Sequence, residues 1–205
     1  MPSPSPTTPP TETGFDPLVF WFHHQTKILI LAGLFIVAMA AYGVFEWAHM
    51  HKLAVSAEGF AAAQSEGDYR KLISEYPGTP AAGNAQLLLA DQLRNQKKFD
   101  ESSSVLRDFI DKYPKHELIS GAWTSLAANQ EAQGKIDDAL ATFQKVSTSY
   151  STSFSAPVAL LEQARILKSK GKTDEARRIY EQIMTQFQDN FIAQQAAIEN
   201  RQLKK

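Results

Sequence analysis

The sequence GKIDDA at residues 134–139 recurs as GKTDEA at residues 171–176, and an earlier copy, KKFDES, occupies residues 97–102. Each copy begins 37 residues after the one before it. A fixed period of this size is typical of repeat proteins, in which each unit is a small motif that buries its apolar face against the next unit. The repeat therefore decides the fold class of the residues around it.

Four columns of similar residues keep this period of 37 residues, two of them inside the copies just quoted and two outside them. They are an aromatic column (Tyr76, Tyr113, Tyr150, Phe187), an alanine column (Ala85, Ala122, Ala159, Ala196), a small-residue column (Ser102, Ala139, Ala176) and a column of acid pairs that begin at Asp100, Asp137 and Asp174. So many columns in one register are not expected from chance repetition. The acid pairs fit the first turn of a helix, where negative charge interacts favourably with the helix dipole.

Each unit is predicted to contain two helices. Thr79 can cap the first helix of unit one, with Pro80 in its first turn. Apolar residues at positions 85, 89, 90 and 93 recur at helical spacing, and those at 105, 106, 109 and 110 form the stripe of a second helix. Tyr113-Pro114 ends that helix, and few β-branched residues alternate, so strands are not expected.

The spacing within each unit resembles the tetratricopeptide repeat (TPR), with small residues where paired helices approach and large ones between units. The matching positions are Trp123, Ala127, Gly134, Ala139 and Phe143 in the second unit, Leu160, Ala164, Gly171, Ala176 and Tyr180 in the third, and Gln86, Ala90, Ser102 and Leu106 in the first, where Lys97 replaces Gly. The resemblance implies an all-α fold, a TPR-like α-solenoid of helix pairs. The period exceeds the usual 34 residues by about three, which predicts longer links between units.

The repeats are predicted to span residues 79–189, with a degenerate first helix pair at 50–78 and a C-terminal capping helix at 190–205. In the degenerate pair, a helix at about 52–65 is expected to use the apolar residues Ala54, Phe60 and Ala61, and to continue from the preceding apolar segment. Together these segments account for residues 50–205.

The N-terminal part contains an uncharged run, ILILAGLFIVAMAAYGVF, from Ile28 to Phe45. As a helix its eighteen residues span about 27 Å, close to the hydrocarbon thickness of a bilayer. Trp21 and Trp47 flank it, as is common at membrane interfaces. We therefore predict a disordered Pro-rich tail at 1–19 and a transmembrane anchor with interfacial flanks at 20–49. A buried core helix is the alternative, although nothing upstream could cover it.

Retention and orientation of the span are separate questions. The Ala38-Met39-Ala40 sequence offers a signal-peptidase-like exit, but the apolar run continues to Phe45, so an uncleaved signal anchor is favoured. The positive-inside rule compares the basic residues on the two sides of a span, and here there is one on each side, Lys27 before it and Lys52 after it. Charge alone leaves the orientation open.

The sequence predicts no enzyme, cofactor or metal site. Cysteine is absent, and neither a phosphate loop nor a zinc-protease or serine-hydrolase motif occurs. His49 and His51 stand two residues apart, a spacing that does not bring side chains together on a helix. The net charge of −1 gives no nucleic-acid signal, and no small-molecule substrate is indicated. The expected partners are proteins, with membrane lipid around residues 28–45.

The resemblance places a protein-binding groove on the first helix of each unit. Its predicted partner-binding residues are Asn84, Leu87, Asp91, Arg94, Asn95, Thr124, Ala128, Glu131, Leu161, Arg165 and Lys168. They lack the Lys/Asn/Arg set with which some TPR domains hold a chaperone's terminal carboxylate, which argues against that class of cytosolic co-chaperone.

The layout resembles the TPR protein that serves as an ancillary subunit of the bacterial Sec translocon, with one N-terminal span, an Asp-Pro-x-x-Phe-Trp approach at residues 16–21 and TPR units directly after it. That resemblance implies an inner-membrane protein with a cytoplasmic N-terminus and periplasmic repeats, which bind the translocon, a periplasmic chaperone or client polypeptides. The alternatives are a TPR protein of envelope assembly, of the Tol-Pal or outer-membrane assembly type, and a membrane receptor with cytosol-facing repeats. Lack of cysteine excludes the lipoprotein form of the second class.

Overall fold

The computed structural model describes residues 17–203, which form nine α-helices and no β-strand. The helices are α1 (Pro17–Ala62), α2 (Glu66–Glu75), α3 (Pro80–Asn95), α4 (Phe99–Lys112), α5 (Ile119–Ala132), α6 (Ile136–Ser149), α7 (Ala156–Ser169), α8 (Thr173–Gln186) and α9 (Phe191–Gln202). The chain divides into two compact units, residues 1–51 and 52–205. The predicted all-α, TPR-like solenoid is confirmed.

In the first unit, residues 17–51 are helical, and their large apolar side chains are exposed except for Ile28, which is half-buried. Within residues 17–203, α1 is the one helix long and apolar enough to cross a membrane, and none of its most apolar window of 18 residues is buried. The apolar run is therefore not part of a buried core helix, which was the alternative prediction. Most of the predicted tail lies outside the described residues, and its last three residues, 17–19, begin α1.

In the second unit, each helix from α2 to α9 packs against the next one in sequence. The apolar core is divided accordingly into four clusters, centred on Leu89, Phe109, Phe143 and Tyr180. Such nearest-neighbour packing is how a solenoid distributes its stability along the chain.

The periodic small residues lie where helices approach most closely. Ala85, Ala122, Ala159 and Ala196 are at most 1 % exposed, and Ser102, Ala139 and Ala176 are completely buried. A larger side chain at these positions would push paired helices apart, because protein interiors leave few voids. The columns read from the sequence are thus the packing positions of the fold.

The turn inside each unit requires a left-handed residue. Lys97, Gly134 and Gly171 have φ of 62°, 77° and 73°. Glycine adopts this conformation without steric cost, whereas lysine does not. The replacement of Gly by Lys97 therefore changes the residue while the turn geometry is retained.

The links between units repeat as well. Tyr76, Tyr113, Tyr150 and Phe187 end α2, α4, α6 and α8, and each backbone N–H donates to the carbonyl oxygen four residues earlier at 2.8–3.0 Å. At the start of α3, the Thr79 side chain accepts from the Ala82 N–H at 3.2 Å, as predicted. The aromatic column therefore marks the end of each second helix.

The acid pairs lie in the first turns of α4, α6 and α8, as predicted. The first aspartate of two of these pairs also joins neighbouring units, which the sequence did not indicate. The Gln133 side chain donates to Asp100 at 2.9 Å, and Lys170, one period later, pairs with Asp137. These bonds link the end of a first helix to the start of the preceding second helix.

The degenerate N-terminal pair differs in detail from the prediction. Phe60 packs against the cluster of Leu89, which also contains Leu72, but Ala54 and Ala61 are exposed. Instead, Gly59 allows the close approach, since a Cβ there would lie 2.9 Å from Leu72 Cδ1. The sequence pattern failed here because glycine, not an apolar side chain, makes the contact.

Candidate functional site

Three cavities lie along the first helices of the repeats, on the side where the groove was predicted. The central cavity, about 600 Å³, lies between α3, α5 and α7. Its lining includes five predicted groove residues: Arg94, Thr124, Ala128, Glu131 and Arg165. The structure therefore brings together residues from three different units.

An ion-pair cluster occupies one wall of the central cavity. The Arg165 guanidinium pairs with Glu131 of the preceding unit and with Glu162, whose Oε2 lies 2.6 Å from Arg165 Nε. Hydrogen bonding to Glu131 raises the pKa of Arg165 further above its already high value. Arg165 is thus a cation whose Nε and Nη2 groups are bonded to protein carboxylates.

A smaller slot of about 220 Å³ lies between α3 and α5. The predicted residues Leu87, Asp91 and Arg94 line it, together with Leu118, Gly121 and Phe154, which were not predicted. Arg94 lines both the slot and the central cavity. The slot is the more apolar part of the groove.

A third cavity of about 410 Å³ lies between α7 and α9. It is lined by the predicted residues Leu161, Arg165 and Lys168, and by Glu199, whose Oε2 lies 2.9 Å from Lys168 Nζ. Tyr180 forms part of its lining, and burial, assisted by the charge of Glu199, raises the pKa of its hydroxyl. This end of the groove therefore also has its charges paired.

Two predicted residues do not line these cavities. The Asn95 side chain donates to Asp91 Oδ2 at 3.2 Å, which orients that carboxylate from outside the slot. Asn84 is half-buried in the first part of α3 and lines none of the three. Both residues were predicted for the groove only because they occupy matching positions in the TPR pattern.

Several lining residues were missed by the sequence reasoning. Ser125, Glu162 and Glu199 form a column with a period of 37 residues, adjacent to the predicted column of Thr124 and Leu161. The period alone could have identified them. Phe154 lies in the link between α6 and α7, and Phe191 stands one period later, so the period also offered a signal for it.

The chemistry available in the groove is that of binding. Neither histidine nor cysteine lines any of the three cavities. Among residues 17–203, no group of three or more His, Cys, Asp or Glu side chains is placed to hold a metal ion. His49 and His51 instead stack on Phe45 and Trp47, each four residues earlier on α1. What the groove offers is charged, polar and apolar contact surface.

The chain belongs to the tetratricopeptide repeat-like domain family, which matches residues 19–199. Among solved structures, it is similar to the nearly identical TPR-like repeats of a Podosopora anserina protein described as a kinesin light chain. That likeness has 14 % identity and a TM-score of 0.56, and it covers 75 % of this chain and 84 % of that one. A variant of the same protein gives a TM-score of 0.53 at 14 % identity, with 76 % and 89 % covered. At this identity the likeness concerns the fold alone. No curated protein matches the chain.

TPR-like repeats generally serve as protein-binding scaffolds, and the groove described above is consistent with that class. The chain is thus a TPR-like repeat protein with one long apolar N-terminal helix.

Proposed function

We propose that this protein is a single-pass membrane protein whose TPR-like repeats bind other proteins through the groove on α3, α5 and α7. The observation that carries the proposal is that one family match, residues 19–199, includes both the exposed apolar run and the repeats. The anchor and the binding unit thus belong to one family pattern.

The exposure of the apolar run supports its role as an anchor. Leu29, Ile30, Leu31 and Leu34 are each about 60 % exposed, as are most apolar side chains up to Phe45. Full burial of one such side chain contributes about 1.5–3 kcal/mol. Lipid around residues 28–45 would supply that burial for the whole run, and a helix is compatible with lipid because its backbone N–H and C=O groups are hydrogen-bonded to each other.

The composition of the groove supports protein binding. Its surface combines polar, charged and apolar residues over three adjoining cavities, which suits an extended polypeptide better than one compact ligand. Anchoring adds a second effect, because a tethered binding unit meets partners in the same membrane at a raised local concentration. We infer no enzymatic activity for the chain.

For location and partners, we propose the bacterial inner membrane, with the N-terminus in the cytoplasm and the repeats in the periplasm. The partners are then the protein translocon, a periplasmic chaperone, or client polypeptides that emerge from the membrane. The support is the layout of span and repeats, which resembles the ancillary TPR subunit of the Sec translocon.

The test is a topology measurement on the full chain in bacterial cells. A reporter enzyme active only in the periplasm is fused after residue 205, and a matched fusion carries a reporter active only in the cytoplasm. We expect activity from the first fusion alone, with the intact protein in the membrane fraction. Activity from the second alone would contradict the proposal and favour a cytosol-facing receptor.

N-terminal sequencing of the same membrane-bound protein tests the anchor. We expect the uncleaved N-terminus. A mature protein that begins near Ala41 would show that the apolar run is a cleaved signal, and would favour a soluble envelope-assembly protein.

A further inference from the structure

The slot between α3 and α5 has the dimensions of a receptor for one large side chain. Its volume of about 220 Å³ exceeds the ~150 Å³ of a cavity known to bind benzene. Its walls include Leu87, Leu106 and Leu118, with Ala90 and Ala122 between them. A leucine or an aromatic ring that entered the slot would therefore contact mainly carbon.

Phe154 forms one edge of the slot. It belongs to the link between α6 and α7, it is 66 % exposed, and its ring lies over Gly121 of α5. A Cβ on residue 121 would lie only 3.4 Å from Phe154 Cζ. An aromatic side chain so exposed gains burial when another apolar group covers it.

The charge at the edge of the slot is Arg94. The basic groove residues of the later units are neutralised, since Arg165 pairs with Glu131 and Lys168 with Glu199. Within the part of the chain that is described, the Arg94 guanidinium has no ion pair and no hydrogen bond. Asp91, the acid of the slot, already accepts a hydrogen bond from Asn95. Asp91 makes no ion pair either, but of the basic residues predicted for the groove Arg94 alone lacks a carboxylate partner among the described residues, and its complement is a carboxylate.

We propose that the slot binds an extended segment of another protein, in which a large apolar side chain lies two residues from an aspartate or glutamate. In an extended chain, side chains at i and i+2 share one face and lie about 6.5–7 Å apart. On α3, the distance from Leu87 to Arg94 is about 10.5 Å along the helix axis. An apolar group near the middle of the slot thus places the carboxylate beside Arg94.

This inference rests on the proposed function, because it assigns the occupant of the same groove. The probes are short Gly/Ser host peptides with both ends blocked, which carry Leu-Ser-Glu or its reverse, Glu-Ser-Leu. Matched peptides contain Leu-Ser-Lys or Ala-Ser-Glu. Binding to the full-length protein in nanodiscs is measured by fluorescence anisotropy.

We expect at least one of the two Leu/Glu peptides to bind about tenfold more tightly than both Leu-Ser-Lys and Ala-Ser-Glu. A tenfold difference is what the loss of one charge-assisted hydrogen bond, or of one buried leucine, predicts. Arg94→Glu should reverse the preference between glutamate and lysine. Gly121→Leu should fill the slot and weaken binding of every peptide that contains leucine. Arg107→Glu changes an exposed arginine of α4 that lines none of the cavities, and should have no effect.

Either of two results would overturn the proposal: no difference among the four peptides, or equal losses in Arg94→Glu and Arg107→Glu. Misfolding cannot explain a reversed preference in Arg94→Glu, since an unfolded variant does not gain affinity for the lysine peptide. The result is also separable from the proposed function. Peptide binding does not depend on membrane orientation, and cross-linking of partners elsewhere in the groove would survive failure of the slot.

Discussion

Asn129 on α5 donates a hydrogen bond of 2.8 Å to Ser102 on α4, and both side chains are completely buried. Ser102 Oγ in turn donates to the carbonyl oxygen of Ala90 on α3 at 2.7 Å. Three consecutive helices are thus linked by one buried polar chain, at a place where the later units have Ala139 and Ala176 in the column of Ser102. The first two repeats are joined by a bond that the others lack.

Ser102→Ala should therefore be costly, although alanine is the residue of the other repeats. It leaves the Asn129 amide without an acceptor, and the Asn129 Oδ1 already has no partner. We expect a loss of about 1–3 kcal/mol in the free energy of unfolding. Urea unfolding of the full chain, followed by Trp123 fluorescence after Trp21→Phe and Trp47→Phe, measures it. The double variant Ser102→Ala/Asn129→Leu should recover much of the loss, and a neutral Ser102→Ala would contradict the role of this chain of bonds.

The turn residues give a second prediction, because Lys97 has the same left-handed backbone as Gly134 and Gly171. Lys97→Gly should stabilise the protein by about 0.5–1 kcal/mol, since relief of strain exceeds the entropy cost of glycine. Gly134→Ala should destabilise it by about 1 kcal/mol. Gly67→Ala is the control: it lies in the first turn of α2 outside the left-handed region, and should be neutral or slightly stabilising. A urea midpoint that is lower for Lys97→Gly than for wild type would contradict the assignment of strain to Lys97.

The contact between units at Asp137 predicts a pH dependence. A hydrogen bond from Lys170, together with its charge, lowers the pKa of Asp137 from the ordinary value of an aspartate. A carboxyl group with a lowered folded pKa contributes stability above its unfolded pKa, and loses that contribution as pH falls through the folded value. The stability difference between wild type and Asp137→Asn should thus be present at neutral pH and narrow below about pH 3.8. Thermal unfolding across this range measures it.

Glu181→Gln is the control for the pH experiment, since this exposed carboxylate lies in the middle of α8, away from the helix ends, and makes no ion pair among residues 17–203. It should give a nearly constant difference from wild type over the same range. An Asp137→Asn difference that does not change between neutral pH and pH 3 would contradict a contribution from the ion pair with Lys170.

A fourth prediction concerns the Lys145 ammonium group, which lies 3.5 Å from the ring centroid of Trp123. Lys145→Gln removes this cation–π contact and should cost about 0.5–1 kcal/mol. It should also shift the emission of Trp123, because the charge beside the indole is lost. Lys115→Gln, in the link after α4, is the control and should leave the emission unchanged. Identical spectra for wild type and Lys145→Gln would contradict the contact.

The sequence predicted the parts of the fold that repeat. The alanine column, which includes Ala122 and Ala159, gives one packing position in every unit. The period of 37 residues therefore reveals it without knowledge of the contacts. Features that occur once were not predictable in this way. The Ser102–Asn129 bond depends on two residues from different columns, and the Gly59 contact depends on the absence of a side chain.

The same reasoning explains the outcome for the groove. Thr124, Ala128 and Glu131 lie on one face of α5 because helical periodicity places them there, and the structure brings them beside Arg94 and Arg165. That Arg165 is paired while Arg94 is free depends on contacts between different units, which no pattern along the chain encodes. The groove as a partner-binding surface remains a prediction.

The central claim is that a membrane-anchored groove binds other proteins. It is tested most directly by a photoreactive amino acid placed at Ala128, in the centre of the groove, and irradiated in intact bacterial cells. We expect discrete cross-linked partners in the membrane fraction, which are lost when Arg94, Arg165 and Lys168 are all changed to Glu. The same probe at Arg107 should give none. Equal cross-linking from both positions, or partners unchanged by the triple substitution, would contradict the account.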